Sequence, residues 1–382
     1  MMKRFALTGI CFLLLAAFMA GSTYAASINT SSGWNMPPGV TDVSREVYSL
    51  HMTIFWICVA ISVVVFGAMF WSLFAYRKSK GAKSAHFHEN TTVEVIWTAI
   101  PLVILIVMAV PATATLKKMY DTSNAEIDIL VTGYQWRWRY EYLGEDVSFF
   151  SNMSTPRDQI QGLEEKGENY LVEVDEPMVV PLGKKVRILL TANDVIHAWW
   201  VPDLAVKKDA IPGFINESWF LVNEPGVYRG QCAELCGRDH GFMPIEVKAV
   251  PQEEYDAWLV SRRDAALVEA AGADREWTMD ELMERGIGVY NTYCAACHQP
   301  EGQGLPPVFP ALAGVGMSVD PAQRAEHIAI VAYGKTGSAM PAFGDTLSPA
   351  EVAAVITYER NAWGNDTGDM VQPSEMRDLL GK

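Results

Sequence analysis

Cys232-Ala-Glu-Leu-Cys236-Gly-Arg-Asp-His240-Gly-Phe-Met243 brings two thiols, an imidazole and a thioether into twelve residues. Soft sulfur ligands with imidazole select copper, zinc or iron over magnesium or calcium. Two cysteines four apart can also be a buried pair with no metal, but His240 and Met243 weigh against that. A closed structural zinc site has little use for a thioether. An electron-transfer copper centre uses one as a weak ligand that tunes its potential. A further donor is expected from elsewhere, and His197 is the best candidate, ending Thr191-Ala-Asn-Asp-Val-Ile-His197 behind a strand-like run.

The block around this loop, 126–250, has a period of two. Glu126–Thr132 alternates, as does Tyr134-Gln-Trp136-Arg-Trp138-Arg-Tyr140-Glu-Tyr142, and Leu171–Val174 and Val186–Leu190 are further expected strands. Gly183, Pro212-Gly213 and Pro225-Gly226 punctuate them as turns. Short strands with regular turn signals imply an all-β sandwich or barrel. On that pattern Trp136, Trp138, Tyr140 and Tyr142 share one face, some of it core and some of it open to a docking role.

Upstream, the chain is a membrane protein by composition. Met1-Met-Lys3-Arg4 and the apolar run Phe5–Ala20 read as a signal peptide over 1–26, with an uncleaved anchor as the alternative. Ile54–Ala75 and Val95–Ala112 hold no charge and suffice to cross a bilayer, so 27–120 is read as a transmembrane hairpin with spans at about 50–76 and 93–114. Arg77, Lys78, Lys80 and Lys83 place the intervening loop in the cytoplasm and everything after it outside. Glu94 sits at the cytoplasmic edge of the second span, where an acid either snorkels or serves an ion path.

Downstream, 251–280 reads as a helical linker. Asn291-Thr-Tyr-Cys294-Ala-Ala-Cys297-His298 then carries the c-type haem attachment motif: two thiols for thioether bonds and His298 as proximal iron ligand. A methionine as sixth ligand raises the potential. Met340, in Gly337-Ser-Ala-Met340-Pro-Ala-Phe343, is preferred over Met317. Helices are expected at Gln323–Tyr333, which makes His327 a packing or surface residue, and at Pro349–Asn361. The haem domain is bounded at 281–364 and the tail, 365–382, is expected to be polar and peripheral. A formal charge of -15 on 382 residues excludes nucleic acid as a partner and favours a basic or neutral one.

Together, the hairpin, the exported Cys/His/Met domain and the haem-c domain resemble subunit II of a haem–copper cytochrome c oxidase of the caa3 type. The resemblance implies a cupredoxin at 121–250 holding a binuclear copper A centre. Cys232 and Cys236 would bridge the coppers, His197 and His240 would be terminal ligands, and Met243 and the Glu234 carbonyl the weak ones. It also implies that the Glu234 carboxylate helps hold a magnesium ion at subunit I, and that Trp136 is where electrons enter. Glu94 would mark the mouth of a proton channel, Asp194 and Glu141 would lie near the donor-docking face, and the Pro310 carbonyl would accept from His298. The C-terminal unit would be an all-α class I cytochrome c with one covalent haem. Implied partners are oxidase subunits I and III, cytochrome c or another periplasmic donor, and the lipid bilayer of a bacterial inner membrane. The implied function is to pass electrons to subunit I, where oxygen is reduced to water with proton pumping. Pro212-Gly213-Phe214 departs from the family's usual Pro-Gly-Arg. Competing readings are a nitric oxide reductase subunit with the same ligands, a quinol oxidase subunit, which would lack Cys232 and Cys236, and a non-enzymatic membrane-tethered copper and haem redox protein.

Overall fold

The computed structural model describes residues 35–83, 88–272, 274–338 and 340–381. The expected signal peptide lies outside them. The chain divides into two compact units, 1–256 and 257–382.

The first unit opens with two long helices, α1 (Asp42–Ala75) and α2 (Thr91–Met119), both long and apolar enough to span a membrane. Their apolar side chains point outward into the surroundings: Val64 is 71%, Trp71 70% and Val110 72% exposed. No core helix of a water-soluble fold would leave them so. Both helices outrun the expected spans. The extra turns carry polar residues that seat the hairpin on the β domain. A Thr41–Ser44 capping box starts α1, Lys118 pairs with Glu46 at 2.6 Å, Arg45 pairs with Glu224, and the Trp219 indole donates to the Lys118 carbonyl at 3.1 Å.

Ten strands follow: β1 (Ile127–Tyr134), β2 (Arg137–Tyr142), β3 (Val147–Ser151), β4 (Met178–Pro181), β5 (Lys185–Ala192), β6 (His197–Val201), β7 (Val206–Ala210), β8 (Asn216–Leu221), β9 (Gly226–Cys232) and β10 (Pro244–Val250). They form two five-stranded sheets, ordered β3-β2-β1-β5-β8 and β4-β10-β9-β6-β7. Pairing is antiparallel except for β1 with β5 and β4 with β10. Alternate residues are buried, as a period of two requires: Ile129 and Val131, then Trp138, Tyr140 and Tyr142, then Val186, Ile188 and Leu190.

Two expectations for this unit need correction. Leu171–Val174 is not a strand; Leu171 has φ +65°, and only Val174 makes a single bridge, to Met153. The strand begins later, at Met178. The aromatic ladder is also broken: β1 ends at Tyr134 and Gln135-Trp136 forms the turn to β2. Trp136 therefore leaves the buried face and lies part-exposed.

Helix α3 (Gln252–Gly272) leads into the second unit, which is mostly helical: α4 (Met279–Val289), α5 (Arg324–Tyr333), α6 (Pro349–Asn361) and α7 (Pro373–Leu380). Helices α4 and α6 cross at Gly286, where a Cβ would fall 2.3 Å from the Ala354 carbonyl oxygen. Beside the crossing, Tyr290 packs on Tyr358 and Trp363 at centroid distances of 5.5 and 4.7 Å. The tail is not peripheral. Val371 and Met376 are fully buried in the same core, and Arg324 is forked to Glu375 at 2.7 and 2.9 Å. The short polar spacing of the tail hides two apolar anchors that only packing reveals.

Candidate metal and haem sites

Two loops converge at one end of the β domain. His197 opens β6, Cys232 closes β9, and the turn that follows supplies Cys236, His240 and Met243 before β10 begins. The ladder holds the cluster in place: Trp199 stands opposite Cys232 across β6 and β9, and the Cys232 N–H donates to the Met243 carbonyl at 3.0 Å. His197, Cys232, Cys236 and Met243 are all at most 2% exposed, while His240 is half-buried and Glu234 exposed.

The two sulfurs lie 3.8 Å apart and form no disulfide. Each has its own imidazole. His197 Nδ1 is 3.9 Å from the Cys232 sulfur, and His240 Nδ1 is 3.5 Å from the Cys236 sulfur. The Glu234 carbonyl oxygen is 3.3 Å from the Cys232 sulfur. Donor atoms of His197, Cys232 and Cys236 all lie within 4.8 Å of one another, a group that leaves His240 out. This set of buried soft donors fits copper, and it satisfies the expectation of a metal site.

The electrostatics of the pair are those of a metal-ready site. A hydrogen bond from the Cys236 thiol holds Cys232 well below the ordinary thiol range, helped by His197. The same bond, with burial, drives Cys236 far above it. Without a cation the pair gives up one proton readily and keeps the other; a bound metal lets both sulfurs be thiolates. Burial lowers the His197 imidazole, but the Asp194 carboxylate and the Cys232 sulfur outweigh it and the net shift is upward. Asp194 Oδ1 accepts from His197 Nε2 at 2.9 Å, which leaves Nδ1 facing the sulfurs. The backbone beside it is equally constrained: a Cβ on Gly133 would sit 2.7 Å from His197 Cδ2.

The remaining expected residues fall as follows. Trp136 donates from Nε1 to the Cys236 carbonyl at 3.2 Å, so it touches the loop that holds the sulfurs. Glu141 pairs with Arg139 at 3.3 Å on the outer face of β2. Glu94 sits in the first turn of α2, where its carboxylate accepts from the Asn90 N–H at 3.2 Å. Phe214 is 56% exposed. Gln135 went unnoticed in the sequence, although it directly precedes Trp136; its amide donates to the same Cys236 carbonyl at 2.7 Å.

In the second unit a π-turn, Tyr290–Cys294, runs into the helical turn Ala295–His298 and presents the Cys-x2-Cys-His motif from one continuous segment. Neither Cys294 nor Cys297 is in a disulfide. The Pro310 carbonyl accepts from His298 Nδ1 at 2.9 Å, which fixes the ring and leaves Nε2 for iron. Gly304, at φ +65°, allows this loop to close, since a Cβ there would meet the Pro310 carbonyl at 2.6 Å. Met340 packs against the core cluster that contains Cys294. Met317 has its carbonyl fixed by the buried Arg360 at 2.6 Å. His327 is 2% exposed and bonded to Glu359 at 2.8 Å, a packing histidine. The donors fit a covalently attached haem.

Comparison with known proteins follows this division. Residues 127–250 match the family described as cytochrome c oxidase subunit II, periplasmic domain, and residues 29–114 its transmembrane domain. Residues 281–358 match cytochrome c oxidase, cbb3-type, subunit III. This overturns the caa3-type assignment. That label rested on domain order, and a Cys-x2-Cys-His motif with a downstream methionine is common to many haem-c domains. A probable cytochrome c oxidase subunit 2 of Rickettsia felis is 35% identical over 258 residues, covering 68% of this chain and 79% of the relative. The Cereibacter sphaeroides cytochrome c oxidase subunit 2 is 34% identical over 272 residues, 67% of this chain and 90% of the relative. The solved periplasmic domain of subunit II of cytochrome oxidase from Bradyrhizobium japonicum is 39% identical, covering 38% of this chain and 98% of that one, with a TM-score of 0.34. Carrying a His/Cys/Cys metal cluster, a haem-c motif and a membrane hairpin, the chain belongs to the cytochrome c oxidase subunit II family and is an electron-transfer part of an oxidoreductase complex.

Proposed function

We propose that this chain takes electrons from cytochrome c or another periplasmic donor at its haem c, passes them to a binuclear copper centre, and delivers them to subunit I, where oxygen is reduced to water with proton pumping. One observation carries the copper half: the imidazoles are divided, one to each sulfur. A single tetrahedral ion with bonds of about 2.0–2.3 Å would draw all four donors together. Here each imidazole faces its own sulfur, His197 Nδ1 at 3.9 Å from Cys232 and His240 Nδ1 at 3.5 Å from Cys236, the arrangement that two ions sharing the sulfurs would use. Cys232 and Cys236 would bridge, His197 and His240 would terminate, and Met243 and the Glu234 carbonyl would be the weak ligands.

Copper held so supplies a one-electron couple with little change of geometry, and haem iron on His298 and Met340 supplies a second. The chain's own work is to hold, orient and shield. Burial keeps water from the sulfurs, Asp194 fixes the His197 ring, and Pro310 fixes His298. The exposed Glu234 carboxylate is free to point into a partner, where it would help hold magnesium at subunit I. Trp136, hydrogen-bonded to the Cys236 carbonyl, is the assigned point where electrons enter. Glu94, at the basic-loop end of α2, is the assigned proton-channel mouth. The organisation that follows is a signal at 1–26, the hairpin at 27–120, the copper domain at 121–250, a linker to 280, the haem domain at 281–364 and a tail. Arg77, Lys78, Lys80 and Lys83 then face the cytoplasm of a bacterial inner membrane, the copper and haem domains lie on the periplasmic side, and subunits I and III are the neighbours.

Electron paramagnetic resonance of the copper-loaded chain is the test. Two equivalent coppers give a seven-line hyperfine pattern; a four-line mononuclear pattern rejects the binuclear reading. Oxygen and nitric oxide consumption by the assembled complex separates an oxidase from a nitric oxide reductase. Freely exchangeable copper with neither activity would make it a tethered redox protein.

A further inference from the structure

We infer that Gln135 is a positioning residue that keys the Trp136 turn to both metal-bearing loops; this rests on the proposed copper centre. The Gln135-Trp136 turn between β1 and β2 makes three hydrogen bonds to the site. Gln135 Nε2 donates to the Cys236 carbonyl at 2.7 Å and Trp136 Nε1 to the same oxygen at 3.2 Å. Gln135 donates its main-chain N–H to Asp194 Oδ2 at 2.8 Å, and the other oxygen of Asp194 accepts from His197 Nε2 at 2.9 Å. One residue is thus linked to Cys236 through its side chain and to His197 through its backbone.

The arrangement is built rather than incidental. The shared acceptor belongs to a sulfur ligand, and a carbonyl has two lone pairs, enough for both donors. The next residue, Gly237, has φ +119°, and a Cβ there would lie 2.9 Å from Gln135 Nε2 and 3.1 Å from Trp136 Cζ2. Only glycine lets the carbonyl and the two donors approach. The Arg238 guanidinium lies 5.9 Å from the centroid of the Trp136 ring, near the outer limit of a cation–π contact. The indole alone has one long hydrogen bond to the loop. The shorter bond from Gln135, one residue earlier on a tight turn, sets the height of the turn and so the distance over which Trp136 couples to the Cys236 backbone.

The test uses the full copper-loaded chain in its complex, with Gln135→Leu, which keeps the bulk and removes the donor, and Gln135→Met as a second variant. Both should keep wild-type copper content and a seven-line spectrum. The Cys β-proton couplings measured by electron–nuclear double resonance should shift. Reduction of the copper centre should slow about tenfold, less than the ~10²-fold that a 1 Å misplacement of a reacting group can cost, with donor KM unchanged. In a Trp136→Phe background the same change should cost less than about twofold, because a positioning residue acts through the indole. Unchanged couplings with an unchanged rate overturn the inference. So does a loss of the same size in the Trp136→Phe background, a rise in KM alone, or failure of both variants to load copper. Failure of the copper assignment itself would appear in the wild-type spectrum, before any variant is compared.

Discussion

The sulfurs of Cys232 and Cys236 approach to 3.8 Å without forming a disulfide, and each faces the Nδ1 of a different histidine. A disulfide would need the sulfurs at about 2.05 Å, so the loop is shaped to keep them apart and both available.

From this relationship the ligands should differ in what their loss does. On the proposed ligand roles, Cys232→Ser and Cys236→Ser should each abolish the binuclear signal, since each would remove a donor shared by both ions. Met243→Leu keeps the buried volume, Met243 being 1% exposed, and should retain copper while shifting the potential. Metal analysis with spectroelectrochemistry reads both. Copper lost in Met243→Leu but kept in Cys232→Ser would invert the roles.

Tyr142 spans the two sheets. Its hydroxyl donates to the Val179 carbonyl at 2.8 Å and accepts from the Val179 N–H at 2.9 Å. Tyr142→Phe strands both main-chain groups in the core and should cost about 2 kcal/mol. Denaturant unfolding followed by tryptophan fluorescence measures it; a loss under about 0.5 kcal/mol would mean that water or a shifted β4 replaces the hydroxyl.

In the haem unit, Gly286→Ala should push α4 off α6, because the obstruction at 2.3 Å is the Ala354 backbone, which cannot swing aside. The expected destabilisation is about 1–3 kcal/mol, read as a lower midpoint for loss of the haem-linked absorbance on heating. An unchanged midpoint would show that the crossing has room to slide.

Asp203 gives a pH dependence of unusual sign. It is 4% exposed, and burial pushes its carboxyl up from 3.8 to about 6. The folded chain therefore holds this proton more tightly than the unfolded one. Its contribution is fully present below about pH 4 and is lost as pH rises through about 6. Asp203→Asn should flatten that portion of the stability curve and raise stability at neutral pH by about 1 kcal/mol after allowance for solvent screening. Parallel melts between pH 4 and 7 check it; curves that stay parallel would place the proton elsewhere.

Much of the site was legible because its chemistry is local. Cys232, Cys236, His240 and Met243 share one loop, and Cys294, Cys297 and His298 share one turn, so spacing alone announced them. His197 was reachable because a histidine just behind a strand is a natural further donor to those four. Gln135 was not, since an amide on a turn has no signature until a fold brings a carbonyl 101 residues away within 2.7 Å. The caa3-type label failed because motif order does not distinguish one haem-c family from another.

By itself, the sequence determined what depends on runs and spacings: two apolar helices, a strand-rich block, a helical haem unit, and the donors within each loop. Tertiary structure decided what depends on pairs distant in the chain. It put Trp136 on a turn rather than in the sheet face, moved the fourth strand from Leu171 to Met178, and buried Val371 and Met376 of the tail. It also divided the imidazoles between the sulfurs. Periodicity reports only which face of its own element a residue takes. What that face meets is settled by packing, and packing is where the copper site acquires its two-sided form.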